Sequence, residues 1–103
     1  MIFVLATIEL VEGTRDRFLE EFSKIVPLVR QEVGCLEYGP TIDVVTDIPA
    51  QLPLRSDVVT VVEKWESLPA LKAHLTAPHM QAYRPKVKDF VKQTKLQILE
   101  PCE

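Results

Sequence analysis

Two segments of this chain, Ile2 to Leu10 and Val58 to Trp65, read as strands that are apolar on both sides, and this constrains the fold more than any other feature. In the first, Ile2, Val4, Ala6 and Ile8 fall on one face by the two-residue alternation of a strand, while Phe3 and Leu5 fall on the other. The second, Val58-Val59-Thr60-Val61-Val62-Glu63-Lys64-Trp65, has the same double character. Strands of this kind need cover on both faces of their sheet.

Little helix is available to supply that cover. Val11-Glu12-Gly13-Thr14 turns the chain, and Thr14 or Asp16 is placed to cap a helix running to about Val33. Its stripe of Phe18, Phe22, Ile25, Val29 and Val33 follows the 3.6-residue period, with Arg15, Arg17, Glu20, Glu21 and Lys24 mostly opposite. Pro27 inside that stripe predicts a kink, and Gly34 a left-handed stop. Strand character resumes from Cys35 to Val45, where Gly39-Pro40 predicts a bulge or an edge strand. Thr46 to Asp57 holds two prolines and little periodicity, which predicts a surface loop of the length that often borders a site or a partner.

After the second apolar strand, Ser67 predicts the cap of a helix with Leu68, Leu71, His74 and Leu75 inward. Ala77-Pro78 interrupts it, Met80, Tyr83, Val87, Phe90 and Val91 continue the inner stripe, and Thr94 to Leu99 forms a last strand. The order is β-α-β-β-α-β in a single domain over residues 1–103, which predicts a ferredoxin-like α+β fold with a four-stranded antiparallel sheet and both helices on one face. The other face would then expose more apolar surface than soluble monomers usually show. A second copy packing sheet to sheet is the simplest cover, so a homodimer closing as an α+β barrel is expected, with the imidazoles and the indole lining a dry chamber between the sheets.

Charge and composition exclude several roles. The formal charge is −3 and the lysines and arginines are scattered among acids, so no basic footprint for nucleic acid is present. The run Lys86, Lys88, Lys92 and Lys95 reads as a solvated face. Met1 to Leu5 is apolar but lacks a basic n-region, and Glu9 and Glu12 interrupt it far short of a membrane span, so a cytoplasmic first strand is expected. Cys35 and Cys102 are too few for a disulfide scaffold. The three glycines make no phosphate loop.

The candidate site lies between Glu63 and Tyr83, which holds the only tryptophan, Trp65, and the only histidines, His74 and His79. These histidines supply the side chains whose ordinary titration falls near neutral pH. Their spacing falls in the zinc range, yet no paired cysteines precede them and Pro78 stands between them, so no metal is expected.

Glu32-Val33-Gly34-Cys35-Leu36-Glu37-Tyr38 resembles the E-x-G-C-x-x-Y junction of the antibiotic biosynthesis monooxygenase superfamily. Val62 to Ser67, Leu71 to Leu75 and Thr76 to Tyr83 resemble its E-x-W-x-S…H…P-H-M-x-x-Y segment. Ile25-Val26-Pro27, the long loop before Val58 and the ending Ile98-Leu99-Glu100-Pro101 are most similar to the YgiN-type quinol monooxygenase subgroup. The resemblance spans nearly the whole chain. It implies a dimeric α+β barrel and oxidation of a quinol or related polyphenol by O2 without metal, haem or flavin.

Oxidising a phenol with O2 alone meets a spin barrier, and ionising the substrate lets it pass one electron to oxygen. A histidine base suits that task, with general-base help worth about 10²–10⁴ in rate. His74 and His79 are both candidates, and spacing does not choose between them. Glu63 is placed to orient a histidine or accept a substrate hydroxyl, Trp65 to form an aromatic wall, and Tyr38, Tyr83 and Met80 to complete the substrate site. Each also has a structural use: Trp65, Met80 and Tyr83 as packing, His74 as a core histidine bonded to a carbonyl, His79 as a surface residue, and Glu63 as an acid paired with Arg or Lys across the dimer.

Of three other functions open to this frame, the residues disfavour haem degradation. Haem-degrading relatives use an asparagine with Trp and His, and this chain has no asparagine. A non-catalytic dimeric module for a small aromatic needs the pocket without the histidines, and an isomerase of a small hydroxy-ketone uses a histidine without O2.

Overall fold

Alternation along the first strand decides which way the sheet faces. In the computed structural model, which describes all 103 residues, Val4, Ala6, Ile8 and Leu10 of β1 (Ile2–Leu10) point into a core and are buried. That strand pairs antiparallel with β3 (Val58–Trp65) on one side and β4 (Val91–Leu99) on the other. β2 (Cys35–Thr41) pairs with the far edge of β3, giving the order β2-β3-β1-β4. The register sets Val4 opposite Glu63 and Glu63 opposite Tyr38, so these side chains share the inner face.

Three helices lie on that face: α1 (Arg15–Arg30), α2 (Leu68–Leu75) and α3 (Pro78–Val87). The α1 stripe Phe18, Phe22, Ile25 and Val29 packs on the inner strands as its period requires. Thr14 precedes α1 without capping it, because its hydroxyl donates back to the Val11 carbonyl at 2.7 Å. Pro27 lies inside the helix, which continues to Arg30. Val33 does not extend the stripe. The helix ends first, a turn follows, and Val33 is 91% exposed.

Gly34 adopts φ +86, and a Cβ built there would meet the Ala70 Cβ at 2.6 Å, so a left-handed turn and the close approach of α2 both require glycine. Ser67 caps α2, its hydroxyl accepting from the Ala70 N–H at 3.3 Å. Leu68, expected inward, is exposed. Pro78 starts α3, where a missing N–H costs nothing. Phe90 and Val91 lie beyond α3, and β4 begins at Val91 rather than Thr94.

β2 ends at Thr41, so Ile42 to Val45 joins the loop instead of the strand. The loop is cross-tied, with Arg55 holding both Asp43 carboxylate oxygens at 2.8 and 2.9 Å and the Gln51 amide donating to the Val44 carbonyl at 2.6 Å.

No helix covers the outer face of the sheet. Leu5, Val62 and Leu99 there are 40, 38 and 40% exposed, and the Lys64 ammonium stands 5.6 Å from the centroid of the Phe3 ring. The doubly apolar strands therefore have one covered side and one open side.

Candidate functional site

A cavity of about 410 Å3 opens between the inner face of the sheet and helices α1 and α3. Ala6, Ile8, Val61, Phe18, Phe22 and Val87 give it an apolar wall. Its polar groups are Tyr38, Glu63, His74 and Tyr83, with Arg84, Lys88 and Thr94 at an exposed rim where β4 passes α3. The chamber thus belongs to one subunit. The expectation of a chamber between two sheets is corrected: alternation sends Glu63 and Trp65 toward the helices, and His74 stands on a helix of that same side.

His74 follows Leu71 by three residues and so shares its inward face; it is 2% exposed. Its ring lies edge-on to Tyr38, with centroids 5.4 Å apart, and 4.7 Å from the Trp65 ring. His74 Nδ1 is 2.9 Å from Glu32 Oε2. His79, second residue of α3, brings its Nε2 to 2.7 Å from the same oxygen. A carboxylate only accepts, so each of these nitrogens carries hydrogen and donates, which assigns the tautomers and leaves Nε2 of neutral His74 with its lone pair. Glu32 itself is aimed by the turn after α1, where its N–H donates to the Val29 carbonyl at 2.9 Å and its own carbonyl accepts from the Cys35 N–H at 3.1 Å.

Burial governs the electrostatics. It holds His74 below the ordinary histidine range, partly offset by the hydrogen bond to Glu32. It pushes Glu63 up to about 7, with the Trp65 N–H opposing and the Glu32 charge adding. The same desolvation raises both Tyr38 and Tyr83 well above an ordinary phenol, so they remain hydroxyl donors. The cavity therefore holds an imidazole biased toward its neutral form and a carboxyl that stays largely protonated below pH 7.

The sequence expectations divide. His74, Glu63, Tyr38, Tyr83 and Met80 come together on the cavity wall. Trp65 does not form an aromatic wall there; it is fully buried behind Glu63, its Nε1–H donating to Glu63 Oε1 at 3.0 Å, because the strand end carries it under α2. His79 stands outside the cavity, lining a separate groove of about 160 Å3 with Glu21, Lys24 and Lys86. The acid that orients histidine is Glu32, whereas Glu63 bonds to Trp65, within its own subunit. No periodicity marks Glu32 in the sequence, although it opens the E-x-G-C junction and is the acid three residues before Cys35. No group of three His, Cys, Asp or Glu side chains is arranged to hold a metal ion. No helix is long and apolar enough to cross a membrane.

Comparison with known proteins gives a consistent result. The model of the family described as antibiotic biosynthesis monooxygenase matches residues 1–86. The chain is 39% identical over 103 residues to the "Probable quinol monooxygenase YgiN" of Escherichia coli K12, covering 98% of both chains, and equally similar to that of Shigella flexneri. Among solved structures, PA3566 from Pseudomonas aeruginosa superposes with a TM-score of 0.79 at 22% identity, covering 99% of this chain and 94% of that one. Rv0793 from Mycobacterium tuberculosis gives 0.78 at 20%, covering 99 and 95%. These structural likenesses concern the fold.

Proposed function

Since the chain belongs to the antibiotic biosynthesis monooxygenase family, we propose that it is a quinol monooxygenase in which His74 takes the proton of a quinol bound in the subunit's own apolar cavity. The observation that carries this reading is the bond between His74 Nδ1 and Glu32, at 2.9 Å, with the ring lining the cavity. It supports an orientation in which the free Nε2 faces substrate and the carboxylate stabilises the imidazolium that forms.

The remaining wall groups have matching uses. Tyr38 and Tyr83, held as donors, hydrogen-bond the developing phenolate oxygen in a site of low dielectric. The ionised quinol passes electrons to O2. Glu63, protonated up to about pH 7, returns a proton to the reduced oxygen. One oxygen atom enters the ring, the other leaves as water, and the product is a hydroxyquinone. The quinol provides all the electrons and both protons of the water, so quinol plus O2 balances hydroxyquinone plus water. O2 is the oxidant and no metal, haem or flavin has a step.

Trp65 serves Glu63 by donating to Oε1, and Met80 adds apolar wall. A homodimer formed through the open outer face, where Leu5, Val62 and Leu99 are exposed, fits the family's implied α+β barrel and leaves the cavities on the far sides of the paired sheets. Oxygen uptake by the purified protein with a reduced quinone such as menadiol tests the function. Uptake above the uncatalysed rate, with a hydroxylated product, is expected. Absence of uptake across several quinols contradicts it, and turnover of a hydroxy-ketone under nitrogen would point to the isomerase instead.

A further inference from the structure

One carboxylate oxygen serves two imidazoles that face different compartments. Glu32 Oε2 accepts from His74 at 2.9 Å and from His79 at 2.7 Å. The His74 side chain is 2% exposed and looks into the cavity, whereas that of His79 is 23% exposed and looks into the outer groove. A single carboxylate carries one negative charge, enough to compensate one imidazolium in a partly buried site; two would leave a net positive charge there.

We propose that Glu32 supports one imidazolium at a time, so that a proton arriving on His74 from the cavity drives a proton off His79 into solvent. The proton enters at His74 Nε2, which is free in the neutral tautomer, and the one released leaves from His79 Nδ1. Both hydrogen bonds to Glu32 stay in place throughout, and one proton in matches one proton out. His79 is then a positioning residue that acts through Glu32. It touches no substrate, yet it lets the site discharge the proton that catalysis deposits.

The surroundings leave this pairing as the dominant one. Toward His79, α1 presents Glu21 and Lys24, which pair with each other at 3.0 Å, and α3 presents Tyr83 and Lys86. Toward His74, β2 and β3 present Tyr38 and Glu63, and α3 adds the positive charge of Arg84. Glu32 is the one side chain hydrogen-bonded to either ring.

The inference rests on the reading of His74 as a base only for its catalytic use, because the coupling itself needs no substrate. It is tested by NMR titration of the His74 imidazole in the parent protein and in His79→Gln and His79→Ala. In a coupled pair, the charge on one site shifts the titration of the other. His79→Gln keeps a side-chain N–H donor and removes the charge; it is expected to raise the His74 midpoint by about one pH unit, a tenfold gain in proton affinity. An unchanged His74 midpoint in His79→Gln overturns the proposal, including where His79→Ala shifts it, since that pattern marks hydration of a vacated space. A missing oxygenase activity would leave these midpoints measurable, and uncoupled midpoints would leave the oxygenase reading standing.

Discussion

Glu32 and His74 are 42 residues apart in sequence and 2.9 Å apart at their side chains, one from the turn that ends α1 and the other from the inward face of α2. This contact joins the two halves of the β-α-β repeat at the cavity. It fixes one tautomer of His74 and directs the other nitrogen away from Glu32.

Glu32→Gln is expected to reduce turnover by about 10²-fold or more, since an amide can present N–H to Nδ1 and favour the wrong tautomer. The His74 midpoint should fall further, because the charge that offsets its burial is gone. Steady-state kinetics with a quinol and imidazole NMR check both. Unchanged turnover would mean that Glu32 does not orient the base.

The pH profile of kcat/KM should be bell-shaped and narrow. Activity rises as His74 loses its proton at a midpoint below the ordinary histidine value of 6.5, and falls as Glu63 ionises near 7. Glu63→Gln should lose the alkaline fall together with most of the turnover. A profile flat from pH 6 to 8 would contradict these roles.

The same glutamate predicts a stability change. Its folded pKa is raised from 4.5 to about 7, so its contribution is fully present below 4.5 and is lost as pH rises through about 7. Above that the ionised group costs on the order of 3 kcal/mol, taking about 1.4 kcal/mol per unit. Glu63→Gln should therefore unfold at higher urea than the parent at pH 8.5 and at a similar concentration at pH 4. Equal midpoints at pH 8.5 would show that the carboxylate is solvated.

Gly34→Ala should destabilise the fold by at least about 1–3 kcal/mol, through the left-handed backbone and the contact at 2.6 Å with Ala70. Because this turn follows Glu32, the surviving folded protein should also lose turnover. Chemical denaturation with parallel kinetics measures both effects, and a neutral substitution would mean that α2 yields freely.

The strands were legible in the sequence because double apolar alternation leaves few alternatives, and Ser67 and Pro78 announced α2 and α3. The end of α1 was not, since Val33 continues the apolar period although the chain has already left the helix. Alternation also tells which residues share a face without telling which face the helices cover, and for that reason the chamber was expected between subunits. Glu32 was hidden for a related reason. Periodicity reports helices and strands, whereas Glu32 sits in a turn, and its partners come from helices 42 and 47 residues later.

The most direct test is oxygen consumption with menadiol by the parent protein and by His74→Gln, with circular dichroism to establish that the variant is folded. A general base supplies about 10²–10⁴ in rate, so a folded His74→Gln should lose that much in kcat. A folded variant that consumes oxygen at the parent rate would show that the cavity histidine takes no proton from the quinol.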